Sequence, residues 1–190
     1  MTFVLRGAVA LTVSVLLSAC AGPIASTAGL CLLLLVPVRQ SVLAPDGKGG
    51  TMQVPAGGAA WFASALESIR SKYPNHLTVS AGDMISASQL ASSLYLDEPT
   101  IGVMNRIGVD FNAVGNHEFD RGTRELRRMQ DGGCEKFTAK QPCQLEPFTG
   151  ATFRYLAAST KDASGNTLFP ATGLKSFGEG SRTVTIGVIG

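Results

Sequence analysis

Two short apolar runs in this chain end in the same way, and that shared ending restricts the fold more than any other feature. HLTVSAGD (His76 to Asp83) closes on Gly82-Asp83, and VDFNAVGNHEFD (Val109 to Asp120) closes on a glycine followed by an amide, an imidazole and two carboxylates. Between them lies a helical stretch from about Asp97 to Ile107, with Pro99 in the first turn and Ile101, Met104 and Ile107 on one face. An earlier helix is predicted from Ala59 to Tyr73, where Phe62, Ala65, Leu66 and Ile69 share a face and Pro74 stops the pattern. A third is predicted from Gly122 to Met129, with further strands at Tyr155 to Ala158 and Thr183 to Ile189. Strands alternating with helices predict an α/β fold with a mainly parallel sheet joined by right-handed crossovers. Such sheets bind ligands beyond the carboxyl ends of their strands, so both polar clusters are expected on one rim.

The chain has 190 residues, 45% of them apolar and 16% charged, which suits a globular domain. A net charge of +2 without a basic run leaves no electrostatic footprint for nucleic acid. The GKGG of the turn-rich stretch Ala44 to Gly58 lacks the spacing of a phosphate-cradling loop and reads as a turn. Histidine chemistry must use His76 or His117, the two histidines present. His76 follows Pro74-Asn75 and reads as a surface residue.

The two clusters together hold the candidate chemistry. Asp83 offers a hard anionic oxygen able to bridge two cations, and Asn116 a carbonyl oxygen that adds no charge. His117 follows directly, so its ring should point away from Asn116 and could face a substrate. Asp120, three residues on, could accept a hydrogen bond from His117, fix its tautomer and favour its charged form. Oxygen and nitrogen donors together suit Zn, Mn, Fe or Co better than calcium. Gly82 and Gly115 remove side chains where backbone approaches a ligand or takes positive φ.

SAGDM (Ser80 to Met84) in register with VGNHEFDRG (Val114 to Gly122) resembles the calcineurin-like metallophosphoesterases, in particular the bacterial 5′-nucleotidase and UDP-sugar hydrolase branch. GGAAWFASALESIR, DEPTIGVMNRIGVDF, YLAAS and TLFPATGLKSF extend the likeness from about Ala44 to Gly190. The resemblance implies the N-terminal part of an αββα sandwich, truncated, with two divalent metal ions (Zn, Mn, Co or similar) gripping a phosphate ester. It implies Asp83 and Asn116 as metal ligands, His117 as the catalytic histidine and Asp120 as its orienting partner, with Glu118 and Phe119 in packing and supporting roles. The substrates implied are nucleoside monophosphates or UDP-sugars, with 2′,3′-cyclic nucleotides and 3′-nucleotides as the alternative. Two elements of the pattern are missing. The family's first Asp-x-His should fall near VPVRQS (Val36 to Ser41), which has neither acid nor histidine, and IGVIG reads as a core strand cut before its catalytic loop. An inactive, truncated lipoprotein lacking the first metal site is therefore the second alternative.

Residues 1–19 read as a signal peptide of the lipoprotein type: Arg6, an apolar stretch, then Leu17-Ser18-Ala19-Cys20. Cys20 is the expected lipidation site, residues 20–29 a tether, and 30–190 the incomplete phosphoesterase domain. Leu30 to Val38 reads as a buried strand. Export places the protein in the periplasm or on the outer membrane, where Cys134 and Cys143 can close the loop between them as a disulfide. The alternative is two free thiols. Cys31 has no assigned role.

Overall fold

The computed structural model of the chain describes residues 3–5, 9–11, 40–56 and 58–190. The expected tether, Cys20, Cys31 and the expected strand Leu30 to Val38 lie outside these residues.

The centre is a parallel three-stranded sheet in the order β5 (Val79–Ser80), β6 (Phe111–Ala113), β7 (Arg154–Leu156). Its strands are short because each ends where polar rim residues begin. Alternation sends Val79, Phe111 and Leu156 to one face, where they pack with Leu77 and Val188. The other face meets the helices α1 (Ala59–Arg70), α3 (Glu98–Ile107) and α4 (Thr123–Asp131) through Leu66, Ile101, Met104, Ile107, Leu126, Met129, Phe153 and Tyr155. A short helix, α2 (Leu90–Ser93), precedes α3.

On the far side of the parallel sheet lies an antiparallel pair, β8 (Thr172–Phe177) with β9 (Val184–Ile189). The close approach is made at Gly173, where an added Cβ would stand 2.3 Å from the Phe111 ring. Helices, parallel sheet and antiparallel sheet form successive layers, so the fold is mixed α/β and covers part of the sandwich. The backbone also describes two three-residue strands, β1 (Phe3–Leu5) and β2 (Val9–Leu11), with β1 pairing antiparallel to β9.

Three sequence expectations change. The sheet is parallel only across β5, β6 and β7; β9 runs antiparallel to β8, a strand that TLFPATGLKSF gave no period-2 signal for, because Gly173 is its buried residue. Ala44 to Gly58 is not a plain loop but a hairpin, β3 (Gln40–Pro45) with β4 (Thr51–Ala56). Asp46 turns it, its Oδ1 accepting from the backbone N–H of Lys48 at 2.8 Å and Gly50 at 2.9 Å. Helix α1 ends at Arg70 rather than Tyr73 and leaves Ala65 exposed. The end is stitched to its neighbours: the Arg70 guanidinium donates to the carbonyls of Ile107 and Gly108 and to Thr78 Oγ1.

Cys134 and Cys143 are joined by a disulfide. The loop they close leans on the core through Glu98, whose carboxylate accepts the Cys143 N–H at 3.0 Å and pairs with buried Arg128 at 2.7 Å. Arg128 also pairs with Glu125 at 2.7 Å and donates to the Gly133 carbonyl.

Candidate functional site

The turn after β5 and the turn after β6 meet at the carboxyl end of the sheet. Adjacent parallel strands make this unavoidable, because β5 and β6 pair in register at Val79 with Phe111 and Ser80 with Asn112. Two glycines let the turns touch. Gly82 has φ +101°, and a Cβ there would stand 2.4 Å from the Gly115 nitrogen; a Cβ on Gly115 would stand 2.2 Å from Asp83 Oδ1. Any side chain at either position collides with the opposite backbone or carboxylate. Asp83 itself takes φ 57°, a left-handed conformation that aspartate tolerates better than most residues.

The side chains singled out from the sequence are gathered here. Asp83 Oδ1 accepts the His117 backbone N–H at 3.1 Å, which sets Asp83 beside the Asn116–His117 peptide. Asp83 and Asn116 are both exposed on this rim. His117 starts a single 3-10 turn, His117–Phe119, and its Nδ1 donates to Asp120 Oδ2 at 2.8 Å. That bond to Asp120, aided by the negative charges of Asp120, Asp83 and Glu118, raises the His117 pKa above the ordinary histidine value. With Nδ1 engaged by Asp120, Nε2 is the ring nitrogen left to meet a ligand. His76 lies apart from this rim, with its Nδ1 against the Tyr73 carbonyl.

Sequence reasoning gave Glu118 only a supporting part and missed how much it does. It is 1% exposed, and its carboxylate accepts from the backbone of Asp83, Met84 and Gly115 and from the side chain of Asn112. Asn112, fully buried on β6, accepts the Gly82 N–H at 3.0 Å. A second brace was missed altogether. Buried Asp97, just before α3, accepts from Ser86 N–H, Ser88 Oγ and the Arg121 guanidinium, the last at 2.6 Å. Burial pushes the Asp97 pKa up, but those donors outweigh it and hold the pKa below the ordinary carboxylate value. The only sequence signal was an aspartate at a helix start.

The donors fit a divalent cation in kind: an exposed carboxylate on one turn and an exposed amide on the turn it touches. They are few in number. Among the described residues, no group of three or more His, Cys, Asp or Glu is placed to hold a metal.

The site is thus a set of polar groups and a carboxylate-held histidine at the carboxyl rim of a parallel sheet. The solved structure of Haemophilus influenzae NAD nucleotidase superposes with a TM-score of 0.51 at 23% identity, over 76% of this chain and 23% of that one, and shares the fold. An Acinetobacter calcoaceticus protein named for the pqq-V 5′ region is 50% identical over 149 residues, 76% of this chain and 73% of its own length. Endonuclease YhcR of Bacillus subtilis is 37% identical over 152 residues, and the NAD 5′-nucleotidase of Haemophilus influenzae 33% over 81 residues. These matches cover 12% and 13% of those two longer proteins. No family model matches the chain. The chain thus shares the fold of the NAD nucleotidase and is similar in sequence to part of proteins named 5′-nucleotidase, which identifies it by resemblance as a domain of the metallophosphoesterase, 5′-nucleotidase type.

Proposed function

We propose that this chain is the phosphate-handling domain of an exported, metal-dependent hydrolase of nucleotide phosphoesters, of the 5′-nucleotidase or UDP-sugar hydrolase type, serving nucleotide catabolism or salvage. The observation that carries the reading is the pairing of Asp83 with the His117 amide, beside a His117 ring oriented by Asp120. Nucleotidases among its relatives support the substrate class.

In this reading Asp83 and Asn116 contribute ligands to a centre of two divalent ions (Zn, Mn, Co or similar). Bound there, the metal would supply Lewis-acid polarisation of a phosphoryl oxygen. The chain's own residues do the rest. Asp120 holds the His117 imidazole in one tautomer and favours its cationic form, so Nε2–H can donate to a phosphoryl oxygen as negative charge builds there. Gly82 and Gly115 let the two turns approach closely enough to bring these groups to one rim.

The first test is turnover of AMP, UDP-glucose and 2′,3′-cyclic AMP by the purified protein with Mn²⁺ or Co²⁺. His117→Ala should lower kcat by about 10²- to 10³-fold, as removal of a transition-state donor does. Full activity in that variant would remove His117 from the chemistry. Faster turnover of the cyclic diester would favour the second reading, a 2′,3′-cyclic-nucleotide phosphodiesterase and 3′-nucleotidase; the endonuclease relative gives that diester reading its support. No turnover with any of these metals would leave the inactive lipoprotein.

A further inference from the structure

We propose that Glu118 is a positioning residue whose carboxylate, acting as an internal anion, fixes the Asp83 turn against the turn that carries Asn116 and His117. What the two turns are positioned for rests on the functional reading above; the clamp itself rests on hydrogen bonds. Oε2 accepts from Asp83 N–H at 2.7 Å and from Gly115 N–H at 2.9 Å. Oε1 accepts from Met84 N–H at 3.0 Å and from Asn112 Nδ2 at 3.2 Å. Each oxygen therefore joins one donor from the first turn to one from β6 or the turn that follows it. A helix cap would satisfy donors on one segment; this carboxylate bridges two segments that are 34 and 35 residues from it or only 3 and 6.

No lysine, arginine or histidine among the described residues forms an ion pair with Glu118. A carboxylate this buried is costly without partners, and here N–H dipoles supply all of them. Two oxygens offer about four lone-pair sites, so the acceptor capacity is used in full. Asn112 extends the brace, because its Oδ1 takes the Gly82 N–H while its Nδ2 donates to Glu118.

This arrangement separates an acceptor role from a space-filling one. Glutamine matches glutamate in volume but replaces one oxygen with an NH₂ group. Either orientation of that amide sets two hydrogen-bond donors against its nitrogen, so neither orientation restores the clamp. Aspartate keeps both acceptors on a shorter arm and cannot reach all of the donors at once.

The test compares wild type, Glu118→Gln and Glu118→Asp by amide hydrogen exchange resolved to Asp83, Met84 and Gly115. Kinetics of Mn²⁺-dependent p-nitrophenyl phosphate hydrolysis are read separately as kcat and KM. In Glu118→Gln at least one of those three amides should exchange about tenfold faster or more, as expected when buried donors lose their acceptor. Amides within α3 should keep their wild-type rates, and kcat should fall with KM little changed. Wild-type exchange at the three amides in Glu118→Gln would overturn the proposal. If that variant does not fold, Glu118→Asp decides: faster exchange at one or more of the three supports the clamp, and wild-type rates at all three overturn it. A wild-type protein that hydrolyses nothing counts against the functional reading alone, since the exchange rates still decide the clamp.

Discussion

At the scale of single residues, the site works through a few side chains whose partners are backbone amides. His117 is paired instead with a side chain, the Asp120 carboxylate, at 2.8 Å. Because Asp120 raises the His117 pKa, the pair's contribution to stability is complete below the ordinary histidine value and is lost as pH rises through the raised one. Histidine NMR titration should therefore place His117 higher in the folded protein than in a denatured sample, and Asp120→Asn should bring it back down. An unchanged His117 midpoint in Asp120→Asn would mean that the contact does not govern its charge. The identities of Asp83, Asn116, His117 and Asp120 as rim residues were legible because metal- and proton-handling groups followed an apolar run and a glycine. The parts played by Glu118 and Asp97 were not. Their partners are backbone N–H groups and an arginine brought close only by folding, and no spacing in the sequence encodes them.

At the scale of elements, periodicity served the helices well and the hairpins poorly. In α3 the predicted stripe of Ile101, Met104 and Ile107 is buried, and Pro99 sits in the first turn where its missing N–H costs nothing. The β3–β4 hairpin was hidden because its strands flank a glycine-rich turn and carry Pro45 and Pro55, which argue against a strand. The loop closed by Cys134 and Cys143 behaves as an element of its own. A closed loop of this length stabilises a fold by roughly 2.5–3 kcal/mol in the chain-entropy model. Reduction with dithiothreitol, or the Cys134→Ser, Cys143→Ser double variant, should lower the unfolding free energy by about that amount in urea titration. The loss should be read at the Glu98–Arg128 contact too, since Cys143 donates to Glu98. An unchanged urea midpoint after reduction would show that the loop is held by its ion pairs instead.

At the scale of the whole molecule, helices cover one face of the parallel sheet and an antiparallel pair covers the other, which leaves the carboxyl rim as the open edge. No helix among the described residues is long and apolar enough to cross a membrane. Attachment to one would fall to Cys20, which lies outside those residues; the proposal of a lipoprotein rests on the Leu17-Ser18-Ala19-Cys20 sequence. Mass spectrometry of the protein made in a bacterial host should find a mature N-terminus at Cys20 carrying acyl chains. An unmodified N-terminus at another residue would remove the anchor.

The order of the central sheet has one more consequence. β6 is flanked by β5 on one side and β7 on the other, and the turn with Asn116 and His117 hangs from it. Among the described residues β5 and β7 each pair with β6 alone within this sheet while β6 pairs with both, so warming should loosen the flanks before it reaches the middle. The turn of Asn116 and His117 is thus moored to the part of the sheet that lets go last.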